Sequence, residues 1–162
     1  MLSSPGHQLD AIDFRILDAL QSNGRIQNNE LAQRVGLSPP PCLRRVRSLL
    51  ERGFIKTIRA LLDEKLLGYE VVSFVSLQLE SQSDGAMKTF EKAIDDCPYV
   101  QQCWLISGET DYLLKCVAAN VAHIQKILAE FAAMPNVRSV KSLLALRDVK
   151  DAPLRLPAAR KN

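Results

Sequence analysis

The run from Ser38 to Gly53, SPPPCLRRVRSLLERG, concentrates more chemistry than any other stretch of the chain. At about 100° per residue, Cys42, Leu43, Val46, Leu49 and Leu50 gather on one side of a helix, and Pro40, Arg44, Arg45, Arg47 and Ser48 on the other. One side packs and the other is strongly cationic. Guanidinium forks suit phosphate oxygens or the O6 and N7 edge of guanine, and Arg44 and Arg47 lie about one turn apart. Basic helix faces are common on charge alone, so the elements before this one must carry the distinction. The three prolines at 39–41 remove the N–H groups that an N-cap Ser38 would bond, which leaves its hydroxyl free for a phosphate or base contact.

A second locus is Ser107-Gly-Glu-Thr-Asp-Tyr112. A free amino acid needs an acceptor for its ammonium, which Asp111 or Glu109 supplies. It also needs donors for its carboxylate, which the backbone N–H groups of Gly108 to Thr110 and the Thr110 hydroxyl supply. The same residues also make an ordinary polar turn.

Other chemistry finds little support. Cys42, Cys97, Cys103 and Cys116 contain no CxxC pair, so the spacing indicates neither a zinc site nor a disulfide framework, and buried free thiols are expected. His7 falls in the N-terminal tail, and His123 falls on a helix where a surface or satisfied histidine is the ordinary case. No spacing fits a Ser/His/Asp set, a glycine-rich phosphate loop or paired carboxylates; Asp95-Asp96 is a helix end.

The chain has 162 residues, 47% of them hydrophobic, with a net charge of +3. That composition suits a packed core, with no apolar run long enough for a membrane span and no secretory leader at the start. Residues 1–62 hold nine Lys/Arg against five Asp/Glu, whereas the remainder is close to neutral, so a polyanionic partner belongs to the front. Helical spacing of Leu9, Ile12, Ile16, Leu17 and Leu20, with Asp10 as cap, predicts a first helix stopped at Asn23-Gly24. A second helix covers 28–35 and ends at Gly36, and the third runs from Ser38 to Gly53. Three short helices of which the third is basic make a helix-turn-helix. Residues 55–62 read as an extended piece and 63–68 as a connector. Strands at 71–80, 99–107, 112–118 and 137–149 then alternate with helices at 84–96 and 121–133, giving βαββαβ.

The expected fold class is α+β: an N-terminal helix-turn-helix (winged-helix-like) domain followed by a ferredoxin-like βαββαβ regulatory domain. The expected divisions are a flexible N-terminus over 1–8, the helix-turn-helix over 9–54, a linker strand and connector over 55–70, the effector-binding and oligomerisation domain over 71–150, and a flexible tail over 151–162. Both helices of the second domain cover one sheet face. The other face, for which Val75, Leu77, Trp104, Ile106, Leu144 and Leu146 are candidates, is expected to meet a second copy sheet to sheet.

The blocks LDAIDFRILDALQSNGRI, ELAQRVGLSPPPCLRRVRSLLERGFI and LISGETDYLLK resemble the leucine-responsive regulatory protein and asparagine regulator family (Lrp/AsnC), in order and spacing, from about Leu9 to Val149. The resemblance implies a bacterial, cytoplasmic, nucleoid-associated transcription regulator that binds double-stranded DNA. It further implies a homodimer assembling to a tetramer or octamer, and no cofactor beyond an amino-acid effector. The DNA-facing residues are then Ser38, Pro40, Arg44, Arg45, Arg47 and Ser48. Effectors in the family lie at the Gly108–Tyr112 loop between dimers, which points to Gly108, Glu109, Thr110, Asp111 and Tyr112. The end of the last helix and the middle of the last strand also shape the response, which adds Ala132, Ala133, Leu143, Leu144 and Ala145. These last five are small or aliphatic, so an apolar effector such as leucine or methionine is expected over lysine, aspartate or glutamate. Two positions depart from the family pattern. Gln27 stands where Ser or Thr is usual, leaving Asn28 to cap the second helix, and Pro40 stands where a polar residue is frequent. Two further readings are a siroheme-decarboxylase-like enzyme and an amino-acid sensor without DNA binding; the sensor would carry a neutral third helix, against which Arg44, Arg45 and Arg47 argue.

Overall fold

The structure is a computed structural model and describes residues 9–157. The expectations for 1–8, for His7 and for the end of the tail at 158–162 lie outside the described residues. The chain divides into two compact units: one holds the chain up to Leu61 together with the segment from Lys150, and the other spans Leu62–Val149. No helix among the described residues is long and apolar enough to cross a membrane.

The first unit contains α1 (Ala11–Ser22), α2 (Asn28–Val35) and α3 (Pro39–Glu51). Asp10 caps α1 by accepting the N–H groups of Ile12 and Asp13, while the Asp13 side chain accepts the Asp10 N–H, a reciprocal capping box. Helix α2 ends at Gly36, whose φ of 76° is a left-handed conformation that a side chain would strain. Ile16, Leu17, Ala19, Leu31, Ala32, Val35, Cys42 and Leu49 form the core of this unit. Leu43 and Leu50, expected inside, are exposed: they sit about 80–100° around the helix from Cys42, at the margin of the packed stripe. Asn28 does not cap α2. Its side-chain amide donates instead to the Pro39 carbonyl at 2.9 Å, fixing the turn between α2 and α3.

Two expectations about the connections are corrected. Residues 56–63 carry no regular structure where a linker strand was expected, because a strand needs a ladder partner and this segment has none among the described residues. The tail is not wholly unpacked either, since Leu156 is half-buried against the helical core of the first unit. Its aliphatic side chain gains by leaving water even though the prolines around it prevent regular structure.

The second unit comprises β1 (Val71–Leu79), α4 (Asp84–Asp95), β2 (Val100–Leu105), β3 (Tyr112–Ala118), α5 (Val121–Ala132) and β4 (Val137–Leu144). The four strands form one antiparallel sheet in the order β2-β3-β1-β4, the βαββαβ arrangement expected. Val75, Leu77, Leu79, Tyr112, Leu114, Cys116 and Ala118 face Phe90, Ile94, Ile124, Ile127 and Phe131 from the two helices.

Val75 and Leu77 are therefore core residues and do not lie on the open face. Strand pairing puts Phe74, Leu113, Trp104 and Leu143 on that open face instead, and Leu144 on the helix side beside Ser73. A one-residue difference in reading reverses every side chain of a strand, and β1 is apolar enough on both faces to hide its parity. The four cysteines are free, and Cys42 and Cys116 are buried as expected. Burial first, with the nearby Cys97 and Cys103, pushes the Cys116 thiol up to about 12. Cys103, on edge strand β2, is exposed, contrary to the expectation of buried thiols.

Candidate functional site

The basic face is built by α3. The Ser38 hydroxyl makes no cap hydrogen bond, because the N–H groups it would accept belong to prolines. Ser38, Pro40, Arg44 and Arg47 are exposed, and Ser48 is half-buried. Pro40, Arg44, Arg47 and Ser48 fall within about 100° of helix circumference, a strip narrow enough to enter one groove.

Arg45 is not in that strip. Its Nη1 donates to Asp10 Oδ2 at 2.7 Å and to Asp13 Oδ1 at 2.8 Å, bridging the third helix to the capped start of α1. The position was legible, since Arg45 lies only about 60° from the buried Cys42, on the packing flank. Hydrogen bonds to Asp13 and Asp10 raise the Arg45 guanidinium. Burial alone would raise the Asp10 carboxyl. The Asp13 N–H, the Arg45 guanidinium and the Ile12 N–H together outweigh it and hold Asp10 below the usual carboxylate range.

The second candidate region is the loop between β2 and β3. It closes through the Ile106 N–H to Asp111 carbonyl bond at 2.8 Å, and Gly108 adopts φ 131°, which favours glycine. A concavity of about 340 Å³ opens beside it, lined by Leu79, Gln82, Met87, Leu105, Ile106, Ser107, Gly108 and Asp111. That size suits a small ligand. Asp111 is only 9% exposed; its Oδ2 accepts the Leu79 N–H and its Oδ1 accepts the Gln82 amide, both at 2.6 Å.

Of the other residues expected here, Glu109 is exposed and Thr110 half-buried on the same loop. Tyr112, expected among the ligand residues, is buried in the core of the second unit. It packs on Phe90 with ring centroids 4.7 Å apart, and its hydroxyl donates to Glu91 at 2.8 Å. Burial first, then the Glu91 bond and charge, drive its hydroxyl well above the usual range. Ala132 and Ala133 end α5 near the strand end where Leu79 pairs with Val137, whereas Leu143, Leu144 and Ala145 lie on the opposite edge strand and towards the opposite end. One chain does not bring Leu143–Ala145 to the loop.

Gln82, Leu79, Met87, Leu105, Ile106 and Ser107 were not among the expected ligand residues. Nothing local marks Gln82, whose bond to Asp111 spans 29 positions of sequence. His123 has structural partners: its Nδ1 accepts the Ala119 N–H at 3.3 Å and its ring meets Tyr99 edge-on at 4.5 Å. No group of three or more His, Cys, Asp or Glu that could hold a metal ion occurs among the described residues.

Comparison with known proteins matches residues 9–56 to a winged helix-turn-helix DNA-binding family and residues 72–154 to the Lrp/AsnC ligand binding domain. A leucine-responsive regulatory protein from Rhizobium meliloti is 50% identical over 146 residues, covering 90% of this chain and 94% of that protein. Among solved structures, an AsnC family transcriptional regulator from Agrobacterium tumefaciens superposes with a TM-score of 0.83 at 33% identity, covering 92% of this chain and 97% of that one. A transcriptional regulator from Neisseria meningitidis, solved as an L-Met complex, gives a TM-score of 0.85 at 32% identity, covering 93% and 97%. With a basic helix-turn-helix in one unit, a pocketed βαββαβ sheet in the other, and relatives matched along nearly the whole length of both, the chain belongs to the Lrp/AsnC family of DNA-binding transcriptional regulators.

Proposed function

We propose that this protein is an amino-acid-responsive regulator that acts as an assembly of dimers, two copies setting α3 into the half-sites of a pseudo-palindrome one helical turn, or a multiple of it, apart. The observation that carries this is the exposed strip of Pro40, Arg44, Arg47 and Ser48 beside the uncapped Ser38 hydroxyl. Arg44 and Arg47 contact bases or phosphates, while Arg45 holds the helix in place. The open sheet face with Phe74, Trp104, Leu113 and Leu143 supports pairing with a second copy, and the exposed Ile58, Leu61 and Leu62 add apolar surface outside it. Assembly to a tetramer or octamer multiplies weak single contacts into avidity and bends or wraps the DNA. The protein works in the cytoplasm, on the nucleoid.

The effector is a small apolar amino acid such as leucine or methionine, held at Gly108–Asp111 between dimers. Asp111 receives the ammonium, and the side chain rests on Leu79, Met87, Leu105 and Ile106. Leu143, Leu144 and Ala145 are far from the loop within one chain, so they join this site only from another copy. The L-methionine complex of the Neisseria relative supports this ligand class. Selection of bound sequences from a genomic DNA pool, with and without the twenty amino acids, tests the reading. A pseudo-palindrome whose enrichment changes with leucine or methionine is expected. The folded protein enriching nothing in either condition rejects it, and tighter binding of lysine than of leucine in a titration rejects the apolar effector.

A further inference from the structure

Asp111 is the only acidic residue lining the 340 Å³ concavity, and its two oxygens are both held by neutral donors, the Leu79 N–H and the Gln82 amide. It takes part in none of the ion pairs among the described residues. A buried carboxyl satisfied only by neutral groups has no counter-charge beside it, and the attraction between it and a cation is screened less than in water. The two donors differ in what they can do. The Leu79 N–H is fixed in the backbone at the end of β1, whereas Gln82 is an exposed residue on the turn into α4 with a flexible side chain that can turn to solvent.

We propose that Gln82 is the exchangeable partner of Asp111: the α-ammonium of the effector displaces the Gln82 amide from Asp111 Oδ1, so Gln82 sets effector affinity by competing for that atom. This rests on the assignment of the loop as the effector site. The exchange replaces a neutral donor with a cationic one on the same carboxylate oxygen while the Leu79 bond stays in place. It also makes a free α-ammonium a requirement for binding, because a neutral amide on the ligand gains nothing over the amide already there. The turn itself stays anchored, because Ser81 and Asn136 exchange hydrogen bonds at 2.8 Å, so only the Gln82 side chain has to move.

The test is isothermal titration of the full-length protein with L-methionine, L-leucine and N-acetyl-L-methionine. Because Gln82 is exposed, its variants keep the fold, checked by thermal melting. Gln82→Ala removes the competitor and should tighten methionine by about 10-fold, the lower end for one hydrogen bond to a charged group. Gln82→Lys tethers an ammonium to Asp111 and should weaken it by at least about 30-fold. N-acetyl-L-methionine should not bind. A residue that merely supports the pocket would weaken binding in both variants, and that result overturns the exchange. If Asp111→Asn abolishes binding while both Gln82 variants match the wild type, the exchange alone is refuted. If the folded Asp111→Asn protein also binds normally, or the wild type binds neither amino acid, the effector reading of this loop fails and the exchange with it.

Discussion

Replacing Arg45 by methionine keeps the aliphatic stem and the helix propensity but deletes the guanidinium that joins α3 to the start of α1. The bond to Asp10 lies between side chains 34% and 50% exposed, where screening leaves about 0.2–1 kcal/mol. The bond to Asp13 is worth more, because that carboxylate is 9% exposed and would lose its only cationic partner among the described ion pairs. Hydrogen bonds to charged groups contribute about 1.5–3 kcal/mol, and the partial exposure of Arg45 places this one near the lower end. Arg45→Met should therefore destabilise the helical unit by about 2 kcal/mol, a fall of roughly 10 °C in melting temperature for a unit this small. Urea unfolding followed by circular dichroism measures the loss. DNA binding at a temperature where the variant is folded should keep the wild-type salt dependence. Arg44→Met should do the opposite, leaving stability unchanged and lowering the slope of log K against log salt by about 0.9 if it meets a phosphate. An Arg45→Met protein of wild-type stability that loses DNA affinity and salt slope as Arg44→Met does would refute the structural role.

Ser38→Ala should change stability by no more than about 0.5 kcal/mol, because the hydroxyl caps nothing, and should weaken DNA binding; a loss of about 1 kcal/mol in stability with DNA affinity intact would contradict this. Asp10 is depressed in the folded state, so its contribution is complete above its unfolded value of about 3.9 and is lost as pH falls through the lower folded one. The difference in melting temperature between wild type and Asp10→Asn should accordingly stay constant from neutral pH to about pH 5 and narrow below pH 4. Phe131→Ala, at a fully buried position, should cost about 3–5 kcal/mol in denaturant unfolding of the second unit. Trp104→Lys puts a charge on the open sheet face and should shift sedimentation towards monomers; undiminished dimers would show that this face is not the interface.

How much was readable depends on how far apart the interacting residues are in the sequence. Helix periods, the Asp10 cap, the proline-blocked start of α3 and the Gly36 stop are each decided by neighbours within a turn or two, and these elements lie where the sequence puts them. The same periodicity already held Arg45 near Cys42, but its sign of charge drew it to the basic side; only the meeting of α3 with Asp10 and Asp13, more than 30 positions away, shows what the guanidinium holds. Strand parity failed in β1 because Val71–Val75 is apolar on both faces, and register is set by partners on β3 and β4.

The sequence by itself determined two things about this protein: a basic third helix in a helix-turn-helix, and a βαββαβ unit with a small polar loop after its second strand. Both follow from local rules of spacing, capping and charge. The tertiary structure alone decided that Tyr112 belongs to the core, that Leu143–Ala145 lie away from the loop in one chain, and that Asp111 is shared between Leu79 and Gln82. Those facts depend on which strand ends the sheet order brings together, and hydrogen bonds spanning about 30 positions leave no periodic trace in the residues between them.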